Sequence, residues 1–170
     1  MERLMILYKE GIGVFNCKNS VLKEESYEFQ TLEEAYQLSI DIANKTSNPN
    51  ENLVICELLN NAIEHGNLGI TYEEKTYLIE KDLFLDEVSR RLKLKENKHK
   101  HAEVHIKTCT EGGMIVTISD QGKGFDYNKY LSIDNSRIFE SHGRGIAIAN
   151  NLLRIQYLGN GNQVAVYFPN

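Results

Sequence analysis

An α+β two-layer sandwich, with a mixed and mostly antiparallel sheet carrying helices on one face, is the fold that this 170-residue sequence predicts. Three observations lead there. Helix-period apolar runs occupy the first half of the chain, β-rich runs follow from about residue 102, and one more helical run is inserted among those strands. No repeat, low-complexity tract or Pro/Gly/Ser linker divides the chain, so residues 1–170 read as a single domain.

Taken in order, residues 1–20 form no assignable pattern, and SYEFQ (Ser26 to Gln30) reads as a short strand. Thr31, followed by Glu33 and Glu34, starts a helix whose apolar period runs through Leu38 and Ile42. In SNPNEN, Ser47 or Asn48 can cap a second helix with Pro49 at its first position, where a missing amide hydrogen costs nothing. The highly charged stretch 71–100 is a helical insertion, and its pattern from Thr71 to Asn97 predicts two short helices. AEVHIKTC and GMIVTIS are strands joined through Glu111, Gly112 and Gly113, and IQYLGNGNQVAVYF is a closing hairpin around Gly159 to Asn162. Between these pairs, GRGIAIANNLL is a third helix.

Composition narrows the class. With 41% hydrophobic and 25% charged residues this is a globular chain, and no apolar run approaches the roughly 20 residues that span a bilayer. MERLMILYKE is interrupted by Glu2 and Lys9 and lacks a small-residue cleavage site, so it does not read as a secretory signal. Cys17, Cys56 and Cys109 form no C-x-x-C pair and are expected to be plain core thiols, in keeping with a cytoplasmic location and no membrane association. A net charge of −5 argues against nucleic acid as the main ligand.

Chemistry concentrates in ELLNNAIEHGN (Glu57 to Asn67). At 100° per residue, Ile55, Leu58, Leu59, Ala62 and Ile63 share one apolar face, while Glu57, Asn61 and His65 recur at i, i+4, i+8 along its border. Three polar groups in line at the edge of a core can reach into a cleft. In MIVTISDQGKGF, strand parity puts Asp120 on the side of Met114, Val116 and Ile118, and Gly122 and Gly124 permit a tight turn close to a ligand. Further on, Gly143 and Gly145 stand directly before the third helix, whose free amides suit phosphate.

These three motifs, in this order, resemble the asparagine box and the two glycine boxes of the GHKL, histidine-kinase-like, ATPases. Within that superfamily the chain is most similar to the anti-sigma-factor serine kinase branch, from about Glu25 to the C-terminus. The resemblance implies a Bergerat-type ATP-binding fold with ATP and Mg²⁺ as cofactors. It implies Asn61 as the metal ligand, Asp120 as acceptor for the adenine amino group and Glu57 as the general base that takes the proton of a substrate serine. Gly122, Gly124 and Phe125 would line the nucleotide pocket, Gly143, Arg144, Gly145 and Ile146 would lie on the phosphate side, and residues 126–141 would form the lid. His65 matches a motif position, where it can close the helix by a hydrogen bond.

The expected function is a Mg-ATP-dependent serine/threonine protein kinase that phosphorylates an anti-sigma-antagonist domain. The alternative is an ATP-binding module that sequesters a sigma factor or signalling partner, or works beside a response-regulator module, without efficient phosphotransfer. A homodimer is compatible with the resemblance. The chain departs from the family pattern in two ways: GNGNQVAVYF lacks a phosphate-touching threonine, and no histidine precedes Glu57 to be autophosphorylated. Two other clusters read more plainly. His101 and His105 share a strand face without a carboxylate at matching spacing, so exposed strand-end histidines are expected over a metal site; RRLKLKENKHK reads as a solvated helix end.

Overall fold

The computed structural model describes residues 7–9, 12–14, 21–46, 48, 51–110, 112–127 and 154–169. Two short strands, β1 (Leu7–Lys9) and β2 (Ile12–Val14), pair antiparallel within the region that carried no sequence pattern. The main sheet is built from β3 (Val21–Phe29), β4 (Ala102–Cys109), β5 (Met114–Ser119), β6 (Arg154–Leu158) and β7 (Gln163–Phe168), in the order β3-β4-β5-β7-β6. Every neighbouring pair in it is antiparallel, so the expected parallel admixture is absent among the described strands.

Four helices accompany the sheet among the described residues: α1 (Leu32–Ala43), α2 (Glu51–Asn61), α3 (Tyr72–Glu80) and α4 (Phe84–Leu92). Thr31 opens α1 and Thr71 opens α3 with complete capping boxes, each threonine side chain accepting from the amide of a glutamate three residues on while that glutamate's side chain accepts from the threonine's own amide. Ser47 and Pro49, expected to open the second helix, lie outside the described residues, as does the expected third helix GRGIAIANNLL.

Alternation decides which face of the sheet is covered. Ala102, Val104 and Ile106 of β4 are fully buried, while Glu103 between them is exposed and His105 and Lys107 are half-buried. The buried set joins Leu38 and Ile42 of α1, Ile55, Leu58 and Leu59 of α2 and Val88 of α4 in one core. The helices therefore cover one face, as a two-layer arrangement requires. Side chains aligned across the sheet form continuous rows; in one of them Val104, Ile118, Val164 and Tyr157 stand side by side on β4, β5, β7 and β6.

β3 is longer than the strand expected from SYEFQ. Its added residues are mostly charged and exposed, and they are held in strand form by pairing with β4 rather than by their own propensity. Of the cysteines expected to be plain core thiols, Cys56 is a free thiol but only half-buried, Cys109 is disulfide-bonded, and Cys17 lies outside the described residues. Spacing alone carries no connectivity, so the sequence could not reveal it. No helix among the described residues is long and apolar enough to cross a membrane.

Candidate functional site

The end of α2 builds the first wall of a cavity of about 290 Å³. Its apolar side is buried as the periodicity requires, and Glu57, Asn61 and His65, all half-buried, line the cavity from the border of that stripe. Beyond Asn61 the helix widens into a π-helical turn, Ala62–Asn67, closed by the Leu68 amide donating to Ile63 O at 2.9 Å. Such widened turns recur at functional sites because they displace side chains from the regular helical period. Here the turn is pinned at two points. His65 Nδ1 donates to Ile70 O at 2.5 Å, and the buried Asn67 accepts the Gln121 amide on Oδ1 at 2.8 Å. A carbonyl can only accept, so the proton of neutral His65 sits on Nδ1 and leaves Nε2 as an acceptor.

Asp120 follows the last residue of β5 and faces the π turn at very short range. A Cβ added at Gly66 would lie 2.3 Å from Asp120 Cγ, so only glycine lets the helix backbone close onto this carboxylate. Gly122 stands behind the carboxylate rather than in the cavity wall; its amide donates to Asp120 Oδ1 at 2.7 Å. Gly124 does line the wall. It has φ of +74°, and a Cβ there would meet Asn160 O at 2.2 Å, so the glycine turn nests against the β6–β7 turn. Phe125 N donating to Asn160 O and Asn160 Nδ2 donating to Lys123 O complete that junction.

The floor is the apolar row Ile118, Val164 and Tyr157, with Phe125 at its edge. Tyr157 is buried, meets Phe125 edge-to-face at 5.3 Å between ring centres, and stacks on Tyr127 at 5.1 Å. Burial, reinforced by the Glu57 and Asp120 carboxylates, pushes its phenol well above the usual range, so it stays protonated. The opposite wall comes from Ile70 and the start of α3, including Tyr72 and Lys75. Lys75 pairs with Glu64 of the π turn, a nearly inaccessible carboxylate whose burial raises its pKa against the opposing pull of Lys75.

Asp120 itself is pushed up to about 6 by burial, which outweighs the Gly122 amide and the Lys100 charge. A carboxyl raised on folding holds a proton in the native state that the unfolded chain has released. Its contribution to stability therefore declines as pH rises from about 4 to about 6 and is constant above. Urea unfolding of wild type and Asp120→Asn across that window is expected to show the difference in stability shifting steadily in favour of the variant as pH rises; a constant difference would contradict the shift.

Of the residues singled out from sequence, Glu57, Asn61, His65, Asp120, Gly124 and Phe125 meet on this one cavity, with Gly122 directly behind it. Gly143, Arg144, Gly145 and Ile146 lie outside the described residues, as does the proposed lid beyond Tyr127. Sequence reasoning missed Gly66, Asn67, Tyr157 and Lys75. The first two stand inside the quoted EHGN motif, but the last two come from elements whose position relative to α2 only the fold supplies. It also set aside a metal at His101 for want of a carboxylate, whereas Glu28 and Glu103 bring oxygens into a group with His101 whose ligand atoms lie within 4.8 Å of one another. Both glutamates are exposed, and none of the three residues lines the cavity. Comparison with known families, with curated proteins and with solved structures finds no match to this chain.

Proposed function

We propose that this protein is a Mg-ATP-binding regulatory protein of the GHKL type, acting as a serine/threonine protein kinase of the anti-sigma-factor class toward an anti-sigma-antagonist domain. One observation above all supports this reading: six residues that the sequence motifs single out, three from Glu57–His65 and three from Asp120–Phe125, surround a single cavity. Its volume of about 290 Å³ is close to the lower bound of about 300 Å³ for small-molecule pockets. An apolar, aromatic-edged floor suits a purine ring, and the half-buried Asp120 offers an acceptor beside it.

In this reading Asp120 accepts the adenine amino hydrogen, and the Gly66 and Gly122 backbones hold the carboxylate in place. Asn61 offers a side-chain carbonyl oxygen to Mg²⁺, which suits an ion that takes few protein ligands and keeps its phosphates and waters. A Mg²⁺ ion held there would supply positive charge to offset that of the phosphate groups. Glu57, one helical turn before Asn61, is the base that receives the proton of an incoming serine hydroxyl. A second reading, a nucleotide-gated interaction module, is favoured by the exposed apolar side chains of Tyr77, Leu83 and Leu85 along α3 and α4.

The test is calorimetric titration with ATP and Mg²⁺ of wild type beside Asp120→Asn. Saturable binding is expected for wild type and loss of binding for the variant, because the Gly122 N–H holds the amide oxygen and the amide nitrogen then presents a donor to a donor. Wild-type affinity should also weaken as pH falls through about 6, where Asp120 takes up a proton. A folded wild type that binds no nucleotide would overturn the proposal.

A further inference from the structure

The cavity has a charge imbalance that a polyanionic ligand would have to overcome. Glu57, Glu73 and Asp120 line it, and Lys75 is the lone lysine or arginine among its described lining residues. Lys75 comes from α3, in the segment 71–100 that the function so far leaves without a role. Its ammonium is held from two sides. The Glu64 carboxylate, 3% exposed, pairs with it, and the Phe84 ring lies beneath it with 5.4 Å from Nζ to the ring centre. The Lys75 side chain is itself only 14% exposed, and it lines the cavity.

We propose that Lys75 is the residue of this chain that contacts the phosphate groups of the bound nucleotide, and that buried Glu64 is its positioning residue. An ammonium carries three N–H donors, and one directed at Glu64 leaves others for ligand oxygens. Pairing with Glu64 and packing on Phe84 fix a side chain that would otherwise lose several rotamers on binding, so the donors are pre-oriented. The α3–α4 segment thereby becomes part of the binding site, and it supplies the cation from a helix that starts at the cavity rim. The proposal rests on the nucleotide reading of the site and extends it to the part of the ligand that Lys75 selects.

Its test is calorimetric titration of wild type, Lys75→Arg, Lys75→Met and the double variant Glu64→Gln/Lys75→Met with Mg-ATP and, separately, with adenosine. The double variant removes both charges together and so leaves no unpaired buried ion to unfold the protein. Expected is a loss of ATP affinity of roughly 10- to 100-fold in both methionine variants, adenosine affinity within about twofold of wild type, and partial retention of ATP affinity in Lys75→Arg. Equal losses for ATP and adenosine would overturn the proposal in favour of a purely structural pair, and so would unchanged ATP affinity in the double variant. Wild type that binds neither ligand would instead refute the nucleotide site itself.

Discussion

Glu57→Gln is expected to lower phosphotransfer to a serine-bearing partner domain by roughly 10²- to 10⁴-fold, the range for removing a positioned general base. ATP affinity should stay within about threefold of wild type, since a neutral amide of the same shape remains in the wall and removes only one like-charge repulsion from the phosphates. Glu57 is half-buried on the border of α2, so the substitution disturbs no core packing. Radiolabel transfer measured beside calorimetry separates the two quantities. A variant that transfers phosphate as wild type does would remove Glu57 from the role of base. A wild type that binds ATP yet phosphorylates no partner domain would move the protein to the interaction-module reading.

The second large effect concerns a residue with no side chain. Gly66→Ala would place a methyl group 2.3 Å from Asp120 Cγ and within 2.7 Å of both carboxylate oxygens. Either the π turn or the Asp120 carboxylate must shift. Overpacking of this kind costs about 1–3 kcal/mol, and the displaced carboxylate should no longer bind the base, so ATP binding is expected to vanish with it. Urea unfolding and calorimetry check the two consequences separately. Adding Asp120→Gly to Gly66→Ala removes the clashing carboxylate, and the pair should recover much of the lost stability without recovering binding, a coupling that a double-mutant cycle measures. Additive losses would show that the two residues do not meet in solution as they do in the structure.

How much of this was legible in the sequence depends on the range of the interaction. The stripe Ile55, Leu58, Leu59, Ala62, Ile63 and its polar border follow from helical period alone, and both are in place. Strand parity likewise put Met114, Val116 and Ile118 on the buried face ahead of Asp120. Thr31 and the closing hairpin were readable because caps and turns are local chemistry. What remained hidden is non-local. The length of β3 is set by its partner β4, the π turn departs from the 3.6 period, and Tyr157 and Lys75 reach the cavity from elements that no local pattern ties to α2. Glu28 meets His101 across two strands for the same reason.

The strand order also bears on how the chain acquires its site over time. β4 with β5 and β6 with β7 are local hairpins that can close quickly. The β5–β7 seam instead joins Ser119 to Gln163, 44 positions apart along the chain, and such loops are slow to close. The cavity floor crosses that seam, since Ile118 lies on one side of it and Val164 and Tyr157 on the other. A ligand therefore has nothing to hold in a nascent chain whose hairpins have formed but not docked. It can retard the unfolding of a finished molecule, but it cannot template its assembly.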